Sequence, residues 1–205
     1  MPLPPAPGST PERDLMHTRV VECKGYRRAD GLWDIEGHMT DRKSYDFANV
    51  SRGVIKAGEP VHEMWLRLTL DDDMQVKAVA ACTDNSPFPA TCPHIADAYQ
   101  KLVGLSIGPG WSRAVKERLG GIDGCTHLSE LLGPLATTAF QTIFPLRGRR
   151  DPMVLPPPAS ADKPFVLLNT CHAFRADSPV VKEIAPGHYS AQPPALREVS
   201  KKPEK

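Results

Sequence analysis

Residues 32–41 alternate between apolar and polar side chains. Trp33, Ile35, Gly37 and Met39 fall on one face; Asp34, Glu36, His38 and Thr40 fall on the other. Successive strand side chains point to opposite sides, so this spacing predicts a strand with the first set buried. Upstream, residues 17–23 are strand-like and lead through Gly25-Tyr26-Arg27-Arg28 to Ala29-Asp30-Gly31. Asp-Gly is a hairpin signal because glycine accepts the positive φ such turns need. Residues 42–60 read as a connection closed by the turn Gly58-Glu59-Pro60. A third strand follows, with Met64, Leu66, Leu68 and Leu70 inward and Trp65, Arg67, Thr69 and Asp71 outward. Asp71-Asp72-Asp73 then turns the chain into a fourth strand over 74–82, where Val76, Ala78 and Ala80 share a face. Three consecutive aspartates lack the alternation and the terminal Glu of a calcium loop, so they read as a hairpin tip.

After Cys82 the pattern becomes helical. Residues 83–91 form a loop containing Pro87 and Pro89. Cys92 stands at the N-cap position and Pro93 at the favoured first helical position. A first helix over 93–103 carries the stripe Ile95, Ala98, Tyr99 and Leu102, and Gly104 ends it. A short basic helix spans 111–119. A third, over 126–144, places Leu128, Leu131, Leu132, Leu135 and Ala139 on one core-facing stripe. These elements predict an α+β domain: an antiparallel sheet of about four strands with about three helices packed on one face. Residues 1–16 read as a disordered tail and 17–146 as the core domain. Residues 147–190 read as a Pro-rich linker and a C-terminal segment packed on the core, with one short element at 180–184. Residues 191–205 read as a second disordered tail.

Composition narrows the function classes. The 205 residues carry a net charge of +1, so no strong field points to nucleic acid or an anionic membrane. No apolar run approaches the ~20 residues a membrane span needs. The first ten residues are Pro-rich and lack the apolar core of an export signal. Five cysteines, an odd number spread thinly, speak against a disulfide framework and for a reducing cytoplasm.

The chemistry-bearing residues concentrate at Gly124-Cys125-Thr126-His127-Leu128-Ser129-Glu130. Cys125 and His127 lie at the start of the third helix, where unpaired N–H groups and a partial positive charge favour thiolate over thiol. Cys92 is placed in the same way on the first helix. Two readings stay open. In one, Cys92, Cys125 and His127 ligate zinc or iron, with the Cys171-His172 pair as a further source of ligands and Glu130 or Glu36 as base. In the other, a thiolate or imidazole acts without metal, oriented by Glu130, which shares a helix face with His127, or by Glu36 or Asp34. Glu36 and His38 are ordinarily a solvated sheet face; as a site they form a polar pocket wall opposite the third helix. His62 shares the face of Met64, where a histidine is ordinarily a hydrogen-bonded core residue and otherwise a site member. Arg147, Arg149 and Arg150 read as a solvated linker.

Gly25-Tyr26-Arg27-Arg28 with Asp30-Gly31, Glu36-Gly37-His38, Gly58-Glu59-Pro60-Val61-His62 and Gly124-Cys125-Thr126-His127-Leu128 resemble, in this order, bacterial domain-of-unknown-function family 2889. The likeness covers roughly residues 17–190 and carries no reaction with it. In architecture, Cys92 before one helix and Cys125 opening the last resemble the iron–sulfur scaffold and sulfur-acceptor fold. That fold's first cysteine has no counterpart, and Asp34, Glu36 or His38 would have to replace it. The expected function is a cytoplasmic bacterial enzyme of small-molecule catabolism, on aromatic, terpenoid or steroid-type substrates, of lyase or hydrolase type. The alternative is a non-catalytic carrier of sulfur or a cluster through Cys92 and Cys125. A homodimer is compatible with either.

Overall fold

The computed structural model describes residues 12–147, 153 and 158–192. Most of the expected N-terminal tail, Arg149 and Arg150 of the basic cluster, and the C-terminal tail beyond Gln192 lie outside these residues. The chain divides into two units, residues 1–150 and 151–205.

In the first unit, β1 (His17–Arg27) and β2 (Trp33–Lys43) form the expected hairpin. Its turn is closed by the Arg28 N–H donating to the Leu32 carbonyl at 2.9 Å. β5 (Pro60–Leu70) and β6 (Val76–Asn85) complete an antiparallel sheet of order β1-β2-β5-β6. Between β2 and β5 the connection holds a small hairpin of its own, β3 (Phe47–Asn49) and β4 (Gly53–Ile55). Three-residue strands are too short to show an alternation, so the sequence reads there as a plain connection.

The alternation of β2 and β5 is obeyed on the inward face, while Thr40 and Thr69 of the outward set are buried too. Ile35, Met39, Met64 and Leu68 are wholly buried, whereas Trp65 remains 40% exposed. In β6 the expected face is broken. A bulge between Thr69 and Leu70 sets Val76 opposite Leu70 but Val79 opposite Leu68. One extra residue reverses the phase of all that follow, so Val76 and Val79 enter the core and Ala78 and Ala80 turn outward. The three aspartates are a hairpin tip, where the Asp71 carboxylate accepts from the N–H groups of Asp73 and Gln75, each at 2.9 Å.

The segment Cys92–Leu102 is helical but wound as a 3₁₀ helix, and Thr91 rather than Cys92 is its flanking residue. It packs along β6. α1 (Trp111–Leu119) and α2 (Thr126–Ile143) follow as expected. α2 lies across β1, β2 and β5 and buries Leu128, Leu131, Leu132, Leu135, Ala139 and Ile143. Two glycines set how closely it lies. A Cβ on Gly37 would sit 3.2 Å from Leu135, and one on Gly25 would sit 2.0 Å from the Thr142 hydroxyl. With Thr142 over Gly25 and Leu135 over Gly37, the start of α2 comes to the far end of β2, beside Asp41.

The second unit contains α3 (Pro179–Ile184), capped by the Ser178 hydroxyl accepting from the Val181 N–H at 3.1 Å. This is the short element expected at 180–184. Phe165 and Phe174 meet edge to face in the loop before it.

Candidate functional site

Asp41 is in phase with Trp33, Ile35, Gly37 and Met39, on the face that α2 covers. Register aligns three strands at this level: Arg19 of β1 stands opposite Asp41, and His62 of β5 stands opposite it on the other side. The β2–β5 ladder is irregular between Asp41 and Arg42, a feature common beside reaction centres. A polar row thus lies at the end of an otherwise apolar face.

Asp41 is 1% exposed, and its carboxylate is fully engaged. Oδ1 accepts from Arg19 Nε at 2.7 Å and lies 3.0 Å from His17 Nε2. Oδ2 accepts from Arg19 Nη2 at 2.8 Å and lies 3.0 Å from His62 Nδ1. Burial by itself would raise this carboxyl. The Arg19 hydrogen bonds and charge, joined by His17 and His62, outweigh burial and hold it at about 2. The remaining Arg19 nitrogen, Nη1, donates to the Glu130 carboxylate, so one guanidinium ties the sheet to the first turns of α2.

His127 comes from the first turn of α2 and stacks on His62, ring centroids 3.7 Å apart and planes tilted by 30°. Burial lowers the proton affinity of both rings. For His62 the neighbouring His127 adds to this against the pull of Asp41; for His127 the Arg19 charge adds to it. Both imidazoles are therefore neutral near pH 7, each with a lone pair to offer. Cys125 Sγ stands 4.0 Å from His127 Nδ1. Cys125 is the N-cap residue of α2, as expected. It is fixed by the buried Tyr99, whose hydroxyl accepts from the Cys125 N–H at 3.2 Å and lies 2.9 Å from its carbonyl and 2.8 Å from Ser129 Oγ.

Of the expected site residues, Cys125, His127, Glu130 and His62 converge here. Glu36 and His38 do not. They lie on the outer face of the sheet, since α2 packs on the odd-numbered positions of β2. There His38 stacks on Trp65 at 3.6 Å, with Nε2 3.3 Å from Glu63, and Glu36 faces Arg67 at 3.7 Å. A shallow groove of about 220 Å³ on that face is bounded by Glu36, Trp65, Arg67 and Cys82. The pocket expected between this polar face and the helix start therefore has its two walls on opposite sides of the sheet. Cys92 also stands apart. Seven residues at ~2.0 Å each place it about 14 Å along the 3₁₀ segment from Tyr99, which touches Cys125. Among the described residues, the group able to hold a metal ion is Asp41, His62 and His127, with ligand atoms within 4.8 Å of one another. It contains neither cysteine. Cys171 is exposed in the second unit.

Sequence reasoning missed Asp41, Arg19 and His17. The signal was there for Asp41: a carboxylate in phase with four apolar residues must find partners or leave the face.

Fold and site together define an α+β protein with a buried carboxylate–histidine cluster under the start of its longest helix. The chain belongs to the family described as "Protein of unknown function (DUF2889)", whose model matches residues 17–141 and so spans the sheet, α1 and nearly all of α2. No curated protein and no solved structure matches the chain. Among the described residues no helix is long and apolar enough to cross a membrane.

Proposed function

We propose that this protein is an enzyme of lyase or hydrolase type acting on a small molecule, with its reaction centre at Asp41, His62 and His127. The observation that carries the reading is the stacking of two imidazoles, from β5 and from α2, over a carboxylate buried on the apolar face of the sheet. Stability does not ask for this arrangement. Buried ion pairs are commonly no better for folding than well-packed apolar residues of the same volume. A polar cluster kept at such a position is a candidate for chemistry.

The roles follow from position. The two imidazoles offer lone pairs to the reacting group. Asp41 and Arg19 hold the geometry. Glu130, half exposed and held by Arg19 through Oε2, is the carboxylate placed to take a proton from substrate or water and return it to the leaving group. Five free cysteines support a cytoplasmic setting.

The test is a substrate panel of small esters, acyl thioesters and hydroxy acids, assayed on the wild-type chain, Glu130→Gln and His127→Ala. Turnover of one class, reduced ~100-fold or more in both variants, is the expected result. Turnover that is equal in all three proteins would overturn the proposal.

A further inference from the structure

The donor atoms of the cluster lie close enough together to share one ion. Asp41 Oδ2 and His62 Nδ1 are 3.0 Å apart, and the ligand atoms of Asp41, His62 and His127 all lie within 4.8 Å of one another. Donors bound to one tetrahedral ion at ~2.0–2.1 Å stand about 3.3 Å apart, so small rotations of these side chains make room for one ion. The three residues come from β2, β5 and α2, elements locked together by the packing of α2 on the sheet. The donor set is borderline, two imidazoles and a carboxylate.

Charge points the same way. The carboxylates of Asp41 and Glu130 share the single guanidinium of Arg19, two acidic side chains to one basic one. Arg19 grips both oxygens of Asp41, Nε on Oδ1 at 2.7 Å and Nη2 on Oδ2 at 2.8 Å, and so fixes the carboxylate while Oδ2 also faces His62. Partners of this kind hold ligating carboxylates in other metal centres.

We infer that Asp41, His62 and His127 form a binding site for one divalent transition-metal ion of the zinc or iron(II) type. The inference rests on the reading of this cluster as a reaction centre and supplies its electrophile. Three protein ligands leave a coordination position for water or substrate, with Glu130 alongside as the proton acceptor. The ligand set differs from Cys92, Cys125 and His127, the set suggested by the sequence.

The experiment uses the full chain, stripped with chelator and titrated with Zn²⁺ by calorimetry and with Co²⁺ by visible absorption. It is run on wild type, His62→Ala, His62→Gln, His127→Ala and Cys92→Ala, each checked for folding by circular dichroism. Expected are one ion per chain in wild type and Cys92→Ala, and affinity weakened more than about 100-fold in the folded histidine variants, beyond what loss of an outer partner costs. His62→Gln keeps the size of the side chain if His62→Ala does not fold. Absence of stoichiometric binding to wild type overturns the inference, as does binding that survives both histidine changes or is lost in Cys92→Ala. Turnover by metal-free protein that depends on His127 and Glu130 would overturn the inference and leave the enzyme standing. A bound ion with turnover indifferent to Glu130 and His127 would overturn the enzyme and leave the metal site.

Discussion

His62 and His127 stack with their ring centroids 3.7 Å apart, one from the start of β5 and the other from the first turn of α2. Sixty-five positions separate them in the chain, and the contact exists only because α2 lies along the sheet. Two imidazolium ions at this distance repel, so the pair cannot easily hold two protons.

In metal-free protein, both rings are expected to titrate below the ordinary histidine value, because burial disfavours the charged form of each. The folded state then binds fewer protons than the unfolded chain as pH falls below ~6.5, and stability declines over that interval. Proton-detected titration of the histidine ring signals checks this. Replacing His127 by Ala should raise the value of His62, since both the neighbouring charge and part of the cover are removed. A fall would contradict the assignment.

Asp41 carries the opposite dependence on pH. Its folded value of about 2 lies below the ordinary carboxylate range, so its contribution is complete above ~4 and is lost as pH falls through 2. The shift corresponds to about 2 kcal/mol at pH 7. Asp41→Asn should cost roughly that amount in urea unfolding at pH 7 in the presence of chelator, and the penalty should shrink toward pH 2. A constant penalty would assign the loss to packing instead of charge.

Gly25 is required by the approach of α2. Gly25→Ala places a Cβ 2.0 Å from the Thr142 hydroxyl, so the helix or the strand must move. A loss of roughly 1–3 kcal/mol is expected. Gly31→Ala has no such neighbour and is strained only by its backbone, at φ 88°. Thermal unfolding of Gly25→Ala alone and with Thr142→Gly separates contact from backbone. Rescue by the second change identifies the contact.

Tyr99→Phe removes one hydroxyl that serves the Cys125 N–H, the Cys125 carbonyl and Ser129. The N–H is left without its partner, at a cost of about 1–3 kcal/mol. Because the same hydroxyl fixes the start of α2, amide exchange at Cys125 and Thr126 should accelerate while the sheet stays protected. Uniform acceleration across the sheet would refute a local role.

Much of this architecture is visible in chain order. The period-two pattern of Trp33–Met39 and Met64–Leu70 and the period of Leu128–Ile143 are local properties, because a side chain's direction follows from the backbone at its own position. They suffice for the β1–β2 and β5–β6 hairpins, for the buried faces of β2, β5 and α2 and for Cys125, His127 and His62 as polar residues near apolar ones. Register is not local. That Arg19, Asp41 and His62 share one row depends on hydrogen-bond pairing between residues more than twenty positions apart. That Glu36 and His38 miss the helix depends on which face α2 covers. The bulge at Leu70 has no sequence mark, yet it turned Ala78 and Ala80 outward. The site was therefore decided by pairing and docking, which close contacts among distant segments, whereas the elements that carry it follow from residues a few positions apart.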